Sequence, residues 1–290
     1  MMKITPLAAE SMGTRSMATL VETDDVKILI DPAANLGEKR YGLSPHPMEA
    51  YFLKKQNERI DLLALLAEVF IITHYHYDHF NPRIPQFYEG KILFLKNPNQ
   101  GINTSQRKRA FAFLEKVRGV SREINFVDGR TIEMGKTRIV FSNPLPHGLE
   151  TRMGYVISVF VSDANTSFLF SSDVQGPCRQ EAADFILELN PEVLYLDGPA
   201  TYLHGMDDVR RVLEQTHYHL EQIIEKTRVH TIIIDHHLTR DLHWEEKIRP
   251  VLAMAERKDV AILTAAEMRG EENHFLEARR RQLYQEDPPL

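Results

Sequence analysis

The chain has 290 residues, 43% of them hydrophobic and 26% charged, which suits a sizeable core and excludes a disordered or fibrous chain. A net charge of −6 argues against generic affinity for nucleic acid, which needs a basic face. The single cysteine, Cys178, permits no intramolecular disulfide, the start carries no apolar core of signal-peptide length, and no apolar run approaches the ~20 residues of a membrane span, so a cytoplasmic protein with no membrane partner is expected.

Residues 3–33 read as strands, with "SMATLVET" and "KILIDPA" separated by a turn at Asp24-Asp25. Pro45 and Pro47 introduce a helix from about Met48 to Glu68. A short apolar strand, Val69-Phe70-Ile71-Ile72, then runs straight into "THYHYDHF". "KILFLK" (91–96) is a further strand and residues 105–117 a helix. From Ile124 to Asp173 the pattern is almost wholly β: "INFV", "TIEM", "TRIVFSNPL", "YVISVFV" and "SFLFSSD", with Gly or Asn in the turns. Beyond it, "VLYLDG" precedes a helix from about Met206 to Lys226, "TIIID" precedes another from about Leu242 to Arg257, and "VAILTA" comes last. No linker divides the chain, and residues 268–290 read as a peripheral tail. The expectation is one α/β domain over residues 1–290: a four-layer αββα sandwich with two mixed sheets face to face and helices outside. The clusters Arg107-Lys108-Arg109 and Arg279-Arg280-Arg281 read as a solvated helix face and tail.

His74, His76, Asp78 and His79 place three imidazoles and a carboxylate within six residues of a buried-looking strand. Such donors are the usual ligands of zinc and similar divalent cations. His74 and His76 project alike if the strand continues, and His76 and His79 share a face if a helix begins. Asp78, lying between, addresses a neighbouring point, which suggests two cations. A dinuclear centre needs more ligands, and other strand ends offer them: His147 after "IVFSNPLP", Asp173 closing "SFLFSSD", and His236 or His237 after "TIIID". Asp31 and Asp235 are candidates to orient ligand imidazoles, or in the case of Asp31 to stabilise a turn. Asp197, ending "VLYLDG", either lines the pocket or serves the Gly198-Pro199 turn, and Tyr202 and His204 are candidate substrate contacts. His217 and His219 repeat the motif's look as "THYH", but sit at the edges of an amphipathic helix stripe.

His74-Tyr75-His76-Tyr77-Asp78-His79 resembles the HxHxDH signature of the metallo-β-lactamase superfamily, and His147, Asp173 and His236 resemble its later ligand motifs in order and approximate spacing. The likeness runs over roughly residues 3–265. "MKITPLAAES", "RYGLSPHP" and "DHHLTRD" are similar to a mainly archaeal family within that superfamily, which brings no established substrate. The resemblance implies His74, His76 and His147 on a first cation, Asp78, His79 and His236 on a second, and Asp173 bridging both. The cations would be zinc, or alternatively manganese or iron. Cys178 lies too far past Asp173 to serve as a ligand. His236 is followed four residues later by Arg240, the spacing of the superfamily's phosphodiesterase branch, and His237 is then expected to face the other way, toward substrate or a carboxylate. The implied activity is hydrolysis by a hydroxide shared between two cations, with Asp78 orienting the water or passing a proton. Candidate substrates are a phosphodiester, or a small ester, thioester or lactone. A non-catalytic metal-binding or sensing protein is the alternative class. A homo-oligomer is compatible with the sequence.

Overall fold

The computed structural model describes residues 2–82, 85–202 and 206–287, the last range without the side chains of residues 206–208. Tyr202 is therefore described, whereas His204 lies outside the described residues. The first half builds a six-stranded sheet in chain order: β1 (Lys3–Pro6), β2 (Thr19–Glu22), β3 (Lys27–Ile30), β4 (Val69–Ile72), β5 (Ile92–Leu95) and β6 (Glu123–Phe126). β1 to β3 form an antiparallel meander, and β3 to β6 run parallel. Helix α1 (Pro47–Ala64) crosses from β3 to β4, and α2 (Thr104–Val117) from β5 to β6.

The second half repeats this plan. β7 (Thr131–Met134), β8 (Thr137–Phe141), β11 (Val159–Ser162) and β12 (Ser167–Phe170) are antiparallel. Between β8 and β11 a small separate ribbon pairs β9 (Leu145–Pro146) with β10 (Tyr155–Val156). After α3 (Gln180–Leu189), β13 (Val193–Leu196), α4 (Met206–Lys226), β14 (Thr231–Ile234), α5 (Trp244–Lys247), α6 (Arg249–Arg257) and β15 (Ala261–Leu263), the strands β12 to β15 are parallel. Helices α7 (Ala265–Met268) and α8 (Arg280–Glu286) close the chain.

The central strands β4, β12 and β13 are buried on both faces, as interior strands between layers must be. Alternate residues go to different cores. Ile28, Ile30, Val69 and Ile71 from the first sheet meet Phe168, Phe170, Val193, Tyr195 and Ile233 from the second between the sheets. Leu29, Phe70, Ile72 and Leu93 face outward onto α1 and α2, through Ile60, Ala64, Ala110, Phe113 and Val117. Leu169, Leu194, Ile232 and Ile234 face outward onto α3, α4 and α6 through Ile186, Leu220, Ile223, Val251 and Ala255. Three cores between four layers give the expected αββα order.

Local chemistry sets the helix ends. His46 caps α1, Pro47 occupies its first turn, and the Glu49 carboxylate accepts from the His46 backbone N–H at 2.8 Å. Asn103 caps α2 by accepting from the Gln106 N–H at 2.8 Å. Among the described residues no helix is long and apolar enough to cross a membrane.

Four details differ from the sequence reading. The helix expected over 242–257 breaks at Ile248 into α5 and α6, because Pro250 lacks an N–H to continue it and instead starts a new first turn. "YVISVFV" is two strands, since Ile157 donates to Thr73 O at 3.1 Å, across to the other sheet. Helix α3, absent from the reading, begins at Arg179 without a side-chain cap. The tail after Met268 is packed rather than peripheral: Leu276, Ala278 and Leu283 are buried, and Arg280 is wholly enclosed. A charged side chain tolerates this only when paired, and Arg280 donates to both Glu49 carboxylate oxygens at 2.7 Å and to Gly37 O at 2.9 Å.

Candidate metal centre

The C-terminal ends of the parallel strands converge on one edge, the usual place for ligands in α/β sheets. β3 ends at Asp31, β4 feeds the His74–His79 loop, β12 leads to Asp173, β13 to Asp197 and β14 to Asp235, His236 and His237. His147 arrives from the β9–β10 ribbon.

Asp173 Oδ2 lies at the middle. The Nε2 atoms of His147, His79, His74, His236 and His237 stand 3.1, 3.3, 3.5, 3.6 and 3.9 Å from it. One compact donor set comprises His74, His76, His147 and Asp173; another comprises Asp78, His79 and His236. A third joins Asp173 to both His236 and His237. His236 Nε2 is 3.7 Å from Asp78 Oδ2. The seven residues singled out in the sequence are thus brought together, and His237 stands beside them, its Nδ1 on the Asp197 carboxylate as expected but its Nε2 turned to the same cluster. The reason is backbone geometry: His236 has φ +60°, so the chain turns left-handed there, and the strand rule that sends neighbours to opposite faces fails. Asp31, Ser172 and Gln175, all beside the cluster, are left-handed too, a concentration of strain typical of functional sites.

Four of the imidazoles, those of His79, His74, His237 and His236, have a polar neighbour that orients the ring. Asp31 Oδ2 accepts from His79 Nδ1 at 2.8 Å and from Thr73 Oγ1 at 2.6 Å, while its Oδ1 accepts from Thr73 N at 2.8 Å. Asp31 therefore bonds to both the turn at Thr73 and the ring of His79. Ser172 Oγ lies 3.3 Å from His74 Nδ1. Asp197 Oδ2 accepts from His237 Nδ1 at 2.8 Å and from Gln175 N at 2.7 Å. Asp235 pins the end of β14 by accepting from the N–H groups of Ser11, His236 and Ala265 at 2.7–3.0 Å. The Arg240 guanidinium covers His236, its Nη2 3.2 Å from either ring nitrogen, while its Nε donates to Glu10 at 2.8 Å and its Nη1 to the Tyr202 hydroxyl at 2.8 Å.

Electrostatics match a cation site. Burial lowers His74, His237 and His236, and pushes His76 down to about 3, so these imidazoles are neutral donors. Burial works against the charge on Asp173 and Asp78, yet the positive charge on His79 opposes it most strongly, and both carboxyls lie below the ordinary carboxylate range. Burial likewise opposes charge on His79, but Asp173, Asp31 and Asp78 raise it well above the ordinary value. Three carboxylates around one imidazole call for a positive charge, which either a proton or a metal ion supplies. Among the described residues, Asp173 Oδ1 and His79 Nε2 are buried with no hydrogen-bond partner, whereas nearly all buried polar atoms have one. A divalent cation satisfies both.

The cluster opens into a cleft of about 620 Å³, reached by His76, Asp78, His147, Asp173 and His237 and walled by Tyr77, Tyr202 and Arg240. Several residues here escaped the sequence reading. Arg15, Glu10 and Glu277 form a buried charge network behind Arg240, with Arg15 donating to both Glu277 oxygens at 2.6 Å. Nothing local in the sequence signals pairs separated by over 200 residues. Arg109, read as part of a solvated face, lines the cleft; the ordinary 3.6-residue phase of α2, with Gln106, Ala110 and Phe113 buried, places it at the inner boundary. Cys178 stays outside the cluster, buried, with its thiol pushed up to about 12 by desolvation. His219 is a core residue whose Nδ1 lies 2.8 Å from Pro177 O.

Comparison with known proteins agrees with this architecture. The chain is 44% identical to a "UPF0282 protein" of Metallosphaera sedula, over 99% of this chain and 94% of the relative. It is 43% identical to one from Korarchaeum cryptofilum, covering 98% and 95%. No family model matches the chain. Among solved structures, unliganded yeast PDE1 superposes with TM-score 0.57 at 11% identity, covering 91% of this chain and 97% of that one. The metallo-beta-lactamase fold protein YhfI from Bacillus subtilis gives 0.53 at 13%, and an isothiocyanate hydrolase from Delia radicum gut bacteria 0.53 at 16%, each covering 91% and 95%. These distant likenesses establish the metallo-β-lactamase fold.

Proposed function

The chain belongs to the UPF0282 family and has the metallo-β-lactamase fold, and from that premise we propose that it is a metal-dependent hydrolase with a two-cation centre. The observation that carries this reading is the hub at Asp173 Oδ2: five imidazole Nε2 atoms within 3.9 Å, beside two buried polar atoms that no protein group satisfies. His74, His76 and His147 would hold one cation, Asp78, His79 and His236 the other, and Asp173 both. Zinc suits the nitrogen-rich donors best, with manganese and iron as alternatives. Bound there, a pair of divalent cations would supply Lewis acidity at the scissile bond and acidify water to near neutral pH.

The chain's own residues do the rest. Asp31 and Thr73 fix the ring of His79, and Ser172 attends His74. Asp78 lines the cleft, where its carboxylate would orient water or pass a proton to the leaving group. His237, held by Asp197, presents its Nε2 to the same cleft, beside the reacting position. Tyr202 and Arg240 form the wall next to it. Burial of most of the donors preserves their orientation, while the cleft leaves one side open to substrate.

The test is a substrate panel on zinc-, manganese- and iron-loaded protein: bis-p-nitrophenyl phosphate, cyclic nucleotides, an aryl ester, a thioester and a lactone. Turnover of one class, lost in chelator and in Asp173→Ala, supports the reading. A chain that binds metal but hydrolyses no member of the panel points to the binding or sensing alternative. A chain inert to metal overturns both.

A further inference from the structure

The cleft above the cluster is unevenly charged. Five cationic side chains line it: Arg15, Lys39, Arg109, Arg152 and Arg240. Two of them are neutralised from behind, Arg15 by Glu277 and Arg240 by Glu10. Among the described residues, Lys39, Arg109 and Arg152 have no carboxylate partner, and Glu38 is the only acid outside the metal cluster that lines the cleft. Unpaired cations facing a cavity are the electrostatic complement of an anion.

These cations are placed, not merely present. Gln106 is buried on α2; its Oε1 accepts from Tyr75 N at 3.2 Å, and its Nε2 donates to Met153 O at 2.8 Å. One side chain thus indexes the histidine loop, α2 and the 151–153 turn together. Arg109 follows Gln106 by three residues on the same helix face, donates to Tyr75 O at 3.1 Å and lies 4.7 Å over the exposed Tyr77 ring. That leaves the remaining guanidinium donors free. Arg152 sits on the turn that Gln106 and Asn103 hold. Lys39 comes from a separate loop, fastened by Arg280 at Gly37 O and by Arg40, which donates to Arg240 O at 3.0 Å. His76 and Asp78 turn toward the cluster, while Tyr77 between them turns out and carries Arg109 with it. The free positive charge therefore lies beside the metal ligands rather than among them.

We infer that the cleft binds a substrate carrying an anionic group, phosphate or carboxylate, which Lys39, Arg109 and Arg152 hold beside the reacting bond. This rests on the cluster being the reacting centre, and it names the class of substrate that centre serves. The test is calorimetric titration of zinc-loaded protein with methylphosphonate, with succinate, and with succinamide as the uncharged match. The two anions bind, more weakly as salt rises, and succinamide does not. The triple substitution Arg109→Gln, Arg152→Gln, Lys39→Gln keeps the thermal midpoint and the bound zinc but loses affinity for the anions by at least about tenfold. Tighter methylphosphonate assigns a phosphoryl group; tighter succinate assigns a carboxylate. Anion binding unchanged in the triple variant, equal binding of succinamide, or no anion binding at all overturns the inference. None of these outcomes touches the hydrolase reading, which fails separately if zinc-loaded protein turns over no substrate.

Discussion

Asp31 shows how much one residue settles at this site. It adopts φ +48°, accepts three hydrogen bonds, and fixes both the turn after β3 and the ring of His79. Asn tolerates the same backbone, so Asp31→Asn keeps the turn's φ while it removes the charge and turns one acceptor oxygen into an amide donor. Zinc affinity, measured against a chelating dye, should fall by about 10–100-fold with the fold intact. Unchanged affinity would show that Asp31 serves only the turn. The clustered histidines and aspartates were legible in the sequence because each is a chemically distinctive residue just past the end of a strand. The convergence of His237 was not, because it depends on a left-handed backbone at His236 that no residue type there announces. The same limit hid Glu10, Arg15 and Glu277, whose meaning lies wholly in partners far along the chain.

Among the elements, the strands β3 to β5 and β12 to β14 were readable as apolar runs bounded by turn residues, and α2 by its capped amphipathic pattern. Short elements without such punctuation were harder to read: α3 lacks a capping side chain, and α8 looks like a basic tail. Yet α8 is docked by Arg280, which fills a buried position against Glu49 at the start of α1. Replacing it strands a buried carboxylate, so Arg280→Ala should cost about 3–5 kcal/mol in denaturant unfolding. It should also loosen the 37–43 loop, which Arg280 holds through Gly37 O and Leu43 O. A loss under about 1 kcal/mol would mean that the pair contributes no more than a surface ion pair does.

Across the whole molecule, the two ends of the chain meet under the cleft. Ser11 donates to Asp235 and accepts from His274, and Glu10, Arg15, Arg240 and Glu277 form one buried network. Desolvation raises Glu10 from its ordinary 4.5 to about 7, more than Arg240 lowers it. The folded chain therefore holds that proton more tightly than the unfolded chain. The resulting stabilisation is complete below 4.5 and is lost as pH climbs through about 7. Wild-type stability should fall across that window relative to Glu10→Gln, whose curve lacks this component; parallel curves would remove Glu10 from the account. Composition and alternation made the αββα layering readable, since they decide which faces are buried, whereas the closure of the ends depends on pairings that only folding brings together.

Asp173 and its six partners are proposed to hold two divalent cations for hydrolysis. The most direct measurement is the rate of hydrolysis of the best panel substrate as zinc is titrated into chelator-treated protein. The rate should rise and level off near about two equivalents per chain, and Asp173→Ala should stay flat throughout. A rate indifferent to added metal, or a wild-type curve reproduced by Asp173→Ala, would contradict the account.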